Sequence, residues 1–182
     1  MSTTQPFYVH TDSVRKDIQN LHAGDAVMLS GTIYTARDAA HKKLCAMIAD
    51  QQPLPIELQD AVIYYAGPTP TKDNGQIGSI GPTTSSRMDA FAPTLLANGL
   101  ALMIGKGTRN EAVCNAIINN KAAYFCAAGG LGALISKSIL NCKEIAFPEL
   151  GCESIKKLTV ENMPLIAAIL PNGENIFNRQ DT

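Results

Sequence analysis

The stretch LALMIGKGTRNEAVCNAIINNKAAYFC, residues 100–126, decides the fold class. Leu100 to Ile104 is an apolar run of strand length, closed by Gly105-Lys106-Gly107. Thr108 then stands where a helix cap is expected, with Glu111 at the capping-box position. Val113, Ala116 and Ile117 recur on one face of the helix, and Ala122 to Cys126 reads as another strand. Strand, helix and strand in succession are the unit of an α/β sheet.

Outward from this unit the alternation continues. Val27 to Ser30 reads as a strand, Gly31 opens a loop, and Asp38 is expected to cap a helix from Ala39 to Ala49 with Ala40, Leu44, Cys45 and Ile48 on one face. Ala61 to Ala66 is a strand ended by Gly67-Pro68, and Ile77 to Ile80 is another leading into Gly81-Pro82. A helix is expected after Thr84, with Met88, Phe91 and Leu95 as its stripe. Gly129-Gly130-Leu131-Gly132 leads to a helix running through Leu140. Three short strands follow, at Glu144 to Phe147, Leu158 to Val160 and Leu165 to Leu170, with a turn at Pro171-Asn172-Gly173 before a last extended piece at Asn175 to Phe177. Residues 1–24 read as an extended polar lead-in. The expected architecture is α/β, a mixed central sheet flanked by helices and extra β structure, in one domain over residues 1–182.

Composition narrows the function. The 182 residues are 46% hydrophobic and only 17% charged, with net charge −1, which argues against a nucleic-acid binder. The first fifteen residues lack the apolar run of a secretory signal, and no stretch approaches the ~20 apolar residues of a membrane span, so the cytoplasm is the expected compartment. Five cysteines (Cys45, Cys114, Cys126, Cys142 and Cys152) make an odd count without a CxxC pair, which speaks against a disulfide framework or a cluster held by this chain alone.

Three segments carry candidate chemistry. Arg37 lies in the loop after the first strand, Thr83-Thr84-Ser85-Ser86-Arg87 follows the Gly81-Pro82 turn, and Lys106 sits between two glycines after a strand. Ligands of α/β sheets gather at the carboxyl ends of strands. Two arginines and a lysine meeting there suit a small dicarboxylate, because each guanidinium can pair with a carboxylate through two N–H groups. Each residue also has a plain structural reading. Arg37 can pair locally with Asp38, Arg87 can be a solvated helix residue, Lys106 can tip a turn, and the hydroxyl run can be an N-cap.

The order of these segments carries a resemblance. SGTIYTARDAAHKKL (30–44), GSIGPTTSSRMDAF (78–91), MIGKGTR (103–109) and KAAYFCAAGGLGALISKSI (121–139) resemble the β subunit, or fused C-terminal domain, of class I iron–sulfur fumarate hydratase. The β subunit of L-tartrate dehydratase is closely similar. The resemblance runs from about Gly24 to Phe177. Two places depart from the usual pattern, Gly129-Gly130-Leu131-Gly132-Ala133 and Cys152-Glu153, and neither is expected to touch the site.

The resemblance implies a swivelling β/β/α domain and a partner α subunit that carries a [4Fe-4S] cluster, as an αβ pair or a dimer of such pairs. Substrate contacts are implied at Arg37, Thr83, Thr84, Arg87 and Lys106, with Thr83 in the position of the proton-abstracting base and activated by a group of the α subunit. The cluster iron would act as Lewis acid toward the departing hydroxyl, and this chain alone would be inactive. The implied reaction is reversible hydration of fumarate to L-malate. L-Tartrate dehydration is the alternative within the family, and a non-catalytic dicarboxylate-binding domain is the alternative outside it. His41, one turn into the Arg37 helix, is a second candidate base whose plain reading is local packing or capping.

Overall fold

The computed structural model describes residues 5–68, 80–127 and 132–178. Seven strands form one mixed sheet: β1 (Phe7–His10), β2 (Ala26–Thr35), β3 (Val62–Tyr64), β4 (Leu102–Gly105), β5 (Ala123–Cys126), β6 (Ile139–Ala146) and β7 (Ile155–Ile169). The helices are α1 (Val14–Asp17), α2 (Asp38–Ala49), α3 (Ala92–Ala97), α4 (Glu111–Asn119) and α5 (Gly132–Lys137). Strands β1 to β5 pair in parallel, and β7 runs antiparallel to β5, β6 and β2. The β2–β7 pairing closes β2, β3, β4, β5 and β7 into a ring.

The ring sorts its side chains by the two-residue period of strands. Val62, Tyr64, Leu102, Ile104, Ala123 and Phe125 point into an inner core with Leu29, Ile33, Leu158 and Leu165. The alternate residues Ile63, Tyr65, Met103 and Tyr124 join an outer core under Leu44 of α2, Leu95 of α3 and Val113 and Ile117 of α4. Both faces of the parallel strands are therefore buried, which is why these strands read as continuous apolar runs rather than alternating ones. Each fully buried aliphatic side chain contributes about 1.5–3 kcal/mol.

Several sequence expectations change at the ends of the chain. Residues 1–24 are not simply extended: β1 is followed by a short helical segment, Thr11 to Asn20, that buries Val14 and Ile18. Gly31 does not open a loop but sits inside β2 at φ +116°, where the β2–β7 register shifts, and a Cβ there would overlap Thr11 Oγ1. The two strands expected at 158–160 and 165–170 are one continuous β7, kinked at Asn162 with φ +50°, where Asn162 N donates to Ser30 Oγ beside the register shift at Gly31. The helix expected through Leu140 ends at Lys137, and Ile139 already pairs with Val160. Phe147 is not the end of a strand: it takes left-handed backbone before a 3-10 segment, Pro148–Glu153. The last extended piece is one bridge, Asn175 to Ile169, before a 3-10 turn at Ile176–Asn178.

Helix starts also move. Arg37 occupies the N-cap of α2 in extended conformation, and Asp38 is the first helical residue, its carboxylate engaged by Arg87 instead of by backbone N–H groups. Asn110, not Thr108, caps α4, its side chain accepting from Val113 N at 2.9 Å. The helix expected after Thr84 is a 3-10 turn, Ser85–Met88, followed by the separate α3, although Met88, Phe91 and Leu95 still face inward. The Ile77 to Ile80 strand and the Gly129 to Leu131 run fall largely outside the described residues.

Candidate functional site

Strands β2, β3 and β4 run parallel, so their carboxyl ends lie at one edge of the ring. Arg37 follows β2, Gly67 follows β3, and Lys106 follows β4. The Gly81–Arg87 segment is threaded between these ends by backbone pairing. Pro82 bridges Ala66, Thr83 N donates to Tyr65 O at 2.6 Å, Thr84 bridges Lys106, and Ser85 N donates to Lys106 O at 2.9 Å. Thr83, Thr84 and Lys106 are thereby brought together. Thr84, at the N-cap of the 3-10 turn, makes no side-chain capping bond, so the hydroxyl run does not cap it.

Two glycines explain how closely these parts approach. A Cβ on Gly105 would overlap Ser85 Oγ, so the Ser85 hydroxyl lies in the space that any other residue would fill. A Cβ on Gly67 would lie 3.1 Å from Arg37 Nη1 and 3.0 Å from Cys152 O. The Arg37 side chain thus crosses Gly67 at the end of β3.

The two arginines are each held by a carboxylate. Arg87 Nε donates to Asp38 Oδ1 at 3.0 Å, and its Nη2 lies 2.9 Å from Asp38 Oδ2 as an ion-pair contact without hydrogen-bond geometry, which ties the hydroxyl segment to α2. A guanidinium has five N–H groups, so this contact leaves it capacity for a second anion. Arg37 does not pair with Asp38; its Nε lies 3.3 Å from Glu153 Oε1 and makes no directed hydrogen bond among the described residues. The Cys152-Glu153 departure therefore does reach Arg37, because the 3-10 segment before β7 packs against α2, where Lys43 and Glu149 also pair.

His41 is fully buried. Its Nδ1 is 2.8 Å from Arg37 O, its ring meets Tyr65 edge-on at 5.2 Å, and burial pushes its pKa down to about 4. Neutral His41 therefore donates to the Arg37 carbonyl, and its Nε2 has no partner among the described residues. This is the local packing and capping role, supporting the Arg37 backbone from below.

Sequence reasoning missed Arg109. Its side chain is 0% exposed, its Nε donates to Asp89 Oδ1 at 2.6 Å, and its Nη2 approaches Tyr65 Oη at 3.4 Å. The guanidinium carbon lies 5.3 Å from the Tyr65 ring and 5.0 Å from the Tyr124 ring. Burial alone would lower its pKa, but Tyr65 and Asp89 outweigh that and hold it above its ordinary value, so it stays charged. Asp89 Oδ2 also accepts from Asn110 N at 2.8 Å. Arg109 and Asp89 both lie inside the sequence motifs quoted above, but no local pattern marks either as buried.

Burial raises the thiol pKa of Cys45, Cys114, Cys126 and Cys142, which keeps these groups protonated. Among the described residues no three His, Cys, Asp or Glu side chains converge as metal ligands, so an iron–sulfur cluster does not fit on them. A cavity of about 540 Å³ lies elsewhere, between the start of α4 and the C-terminal segment, lined by Glu111, Cys114, Ile118 and Phe177 among others and by none of the expected site residues.

Residues 2–180 match the family model described as Fumarase C-terminus. The chain belongs to that family. It is 35% identical over 170 residues to Fumarate hydratase 2 of Leishmania major, covering 92% of this chain and 30% of that protein. It is 36% identical over 176 residues to the putative L(+)-tartrate dehydratase subunit beta of Methanocaldococcus jannaschii, covering 93% of this chain and 90% of that one. Against the L(+)-tartrate dehydratase subunit beta of Escherichia coli it is 31% identical over 167 residues, covering 89% and 82%. The chain thus spans under a third of the fumarate hydratase but nearly the full length of the subunits named beta. Among the described residues no helix is long and apolar enough to cross a membrane.

Proposed function

We propose that this chain is the β subunit of a class I fumarate hydratase, forming the site for reversible hydration of fumarate to L-malate together with an α subunit. The observation that carries this reading is the Thr84–Lys106 bridge, which sets Thr83 and the Arg87 segment beside Lys106 at the strand ends that Arg37 also follows. Arg37, Arg87 and Lys106 bind and orient the dicarboxylate. In the dehydration direction, charge accumulates on the carboxylate next to the carbon that loses its proton, and cations fixed around it lower that barrier. Thr83 takes the proton, and because a threonine hydroxyl is a weak base at neutral pH it requires an activating group from the α subunit. The [4Fe-4S] cluster, which this reading assigns to the α subunit, supplies Lewis-acid chemistry when bound.

In this reading residues 1–182 act as one swivelling domain, cytoplasmic, in an αβ pair or a dimer of pairs, and the chain alone has no hydratase activity. The test uses the reconstituted αβ complex. Thr83→Ala lowers kcat about 10²- to 10³-fold and leaves KM within about threefold. Near-normal kcat removes Thr83 from the role of base. L-Tartrate is the second reading, favoured by the near full-length match to the tartrate dehydratase beta subunits. Turnover of L-tartrate in preference to fumarate by the same complex selects it.

A further inference from the structure

Arg109 is buried three residues after Lys106, and its side chain contacts Asp89, Met103, Tyr65 and Tyr124, through which it is linked to the Thr83–Arg87 segment and the Lys106 loop. Toward Tyr65 its guanidinium lies over the ring and near the hydroxyl, and the Tyr65 carbonyl is the acceptor of Thr83 N–H. Toward Tyr124 it lies over the ring, and Tyr124 Oη is 2.8 Å from Ser85 Oγ and 2.9 Å from Gly107 O. A carbonyl can only accept, so the single phenol proton goes to Gly107 and Ser85 supplies the proton between the two hydroxyls. Through its ion pair it fixes Asp89, two residues beyond Arg87, and Asp89 in turn takes the Asn110 N–H. One buried cation thus joins the Thr83–Arg87 segment to the Lys106 loop.

We propose that Arg109 is a positioning residue: clamped by Asp89 between the Tyr65 and Tyr124 rings, it sets the Gly81–Arg87 segment against the Lys106 loop so that Thr83, Arg87 and Lys106 face one ligand. The proposal rests on the hydratase reading above. Lysine cannot replace arginine here, because an ammonium that pairs with Asp89 lacks the two further nitrogens that reach Met103 Sδ and Tyr65 Oη. Reacting groups misplaced by an ångström lose about two orders of magnitude in rate.

The experiment compares wild-type, Arg109→Lys, Asp89→Asn and Tyr124→Phe chains in the reconstituted αβ complex, by kinetics and by hydrogen–deuterium exchange. Arg109→Lys is expected to lower kcat/KM by about 30-fold or more, with kcat falling and KM rising together because base and cations shift at once. That split separates it from Thr83→Ala, which moves kcat alone. Amides of residues 80–90 and 105–110 are expected to exchange at least tenfold faster, with those of β2 and β7 unchanged. Tyr124→Phe keeps the ring and loses the hydroxyl, and is expected to cost about tenfold in kcat/KM. An Arg109→Lys complex within threefold of wild type in kcat/KM, with unchanged exchange, overturns the proposal. If Arg109→Lys does not assemble, Asp89→Asn, which keeps the shape of the partner and removes its charge, decides: wild-type kinetics and exchange at 80–90 and 105–110 overturn the proposal. If the wild-type complex turns over neither fumarate nor L-tartrate, the hydratase reading fails, while the exchange data still decide whether Arg109 holds the two segments.

Discussion

Arg87 and Arg109 each pair with an aspartate, yet the two pairs are built for opposite purposes. The Arg87 side chain is 50% exposed and its Asp38 partner 30%, whereas Arg109 is 0% exposed and Asp89 8%. An exposed pair contributes about 0–1 kcal/mol and is readily exchanged for another anion. A buried pair is different: removing one partner leaves an uncompensated charge and costs about 3–5 kcal/mol. The rim pairs, Arg87–Asp38 and Arg37–Glu153, therefore keep cations oriented while leaving them able to take a carboxylate. The buried pair keeps the frame in place. In the proposed site, binding and positioning are thus assigned to two layers of the same edge.

The comparison sharpens most at the buried layer under changing pH. His41 has a folded pKa of about 4, below its ordinary 6.5. The unfolded chain then binds the proton first, so the stability linked to His41 is complete above about pH 6.5 and is lost as pH falls toward 4. The expected loss is about 3 kcal/mol over that window. Unfolding free energies from urea titrations of wild type and His41→Leu should diverge by about 2–3 kcal/mol between pH 7.5 and 4.5, and parallel profiles would remove His41 from the buried layer.

A smaller effect is expected where the two layers meet. Gly105→Ala puts a methyl onto Ser85 Oγ and 2.9 Å from the Tyr65 ring. Overpacking of this kind costs about 1–3 kcal/mol. Thermal unfolding should show it, and turnover should fall with it because Ser85 is driven from Tyr124. Unchanged stability would mean that the segment 80–87 can lift away without cost. The smallest effect belongs to the rim. Glu153→Gln removes the anion that competes for Arg37 in a half-buried pair, so the KM for the dicarboxylate should fall about threefold. A rise in KM would mean that Glu153 orients Arg37 and belongs with the positioning layer.

The parallel strands and the helices between them were legible because both faces of β3, β4 and β5 are buried and their apolar runs are uninterrupted. The antiparallel half was less so. Gly31 and Asn162 break the local pattern, but they are bends inside two long strands that follow each other through the same kink. A tertiary pairing overrides the turn signal, and nothing near either residue in sequence reports it. The same holds at the site. Arg37, Thr83, Thr84, Arg87 and Lys106 stand out because glycines and hydroxyls surround them. Glu153 and Arg109 also have a glycine and a hydroxyl nearby, Gly151 and Ser154 for one and Gly107 and Thr108 for the other, but what gives them a role is a partner, Arg37 or Asp89, that is distant in sequence.

The closure of the ring by β7 also bears on how this chain comes to be folded. Ala26 faces Ile166, and Tyr124 faces Ile169, so the strands whose ends carry the site cannot complete their ladder until residue 169 has left the ribosome. Contacts this far apart in sequence slow folding, because loop closure must precede the contacts that reward it. During synthesis β2 to β5 wait with open edges, and an open edge is a template for pairing with another chain. The interval between completion of β5 and arrival of β7 is then the period in which a nascent chain is most exposed to aggregation.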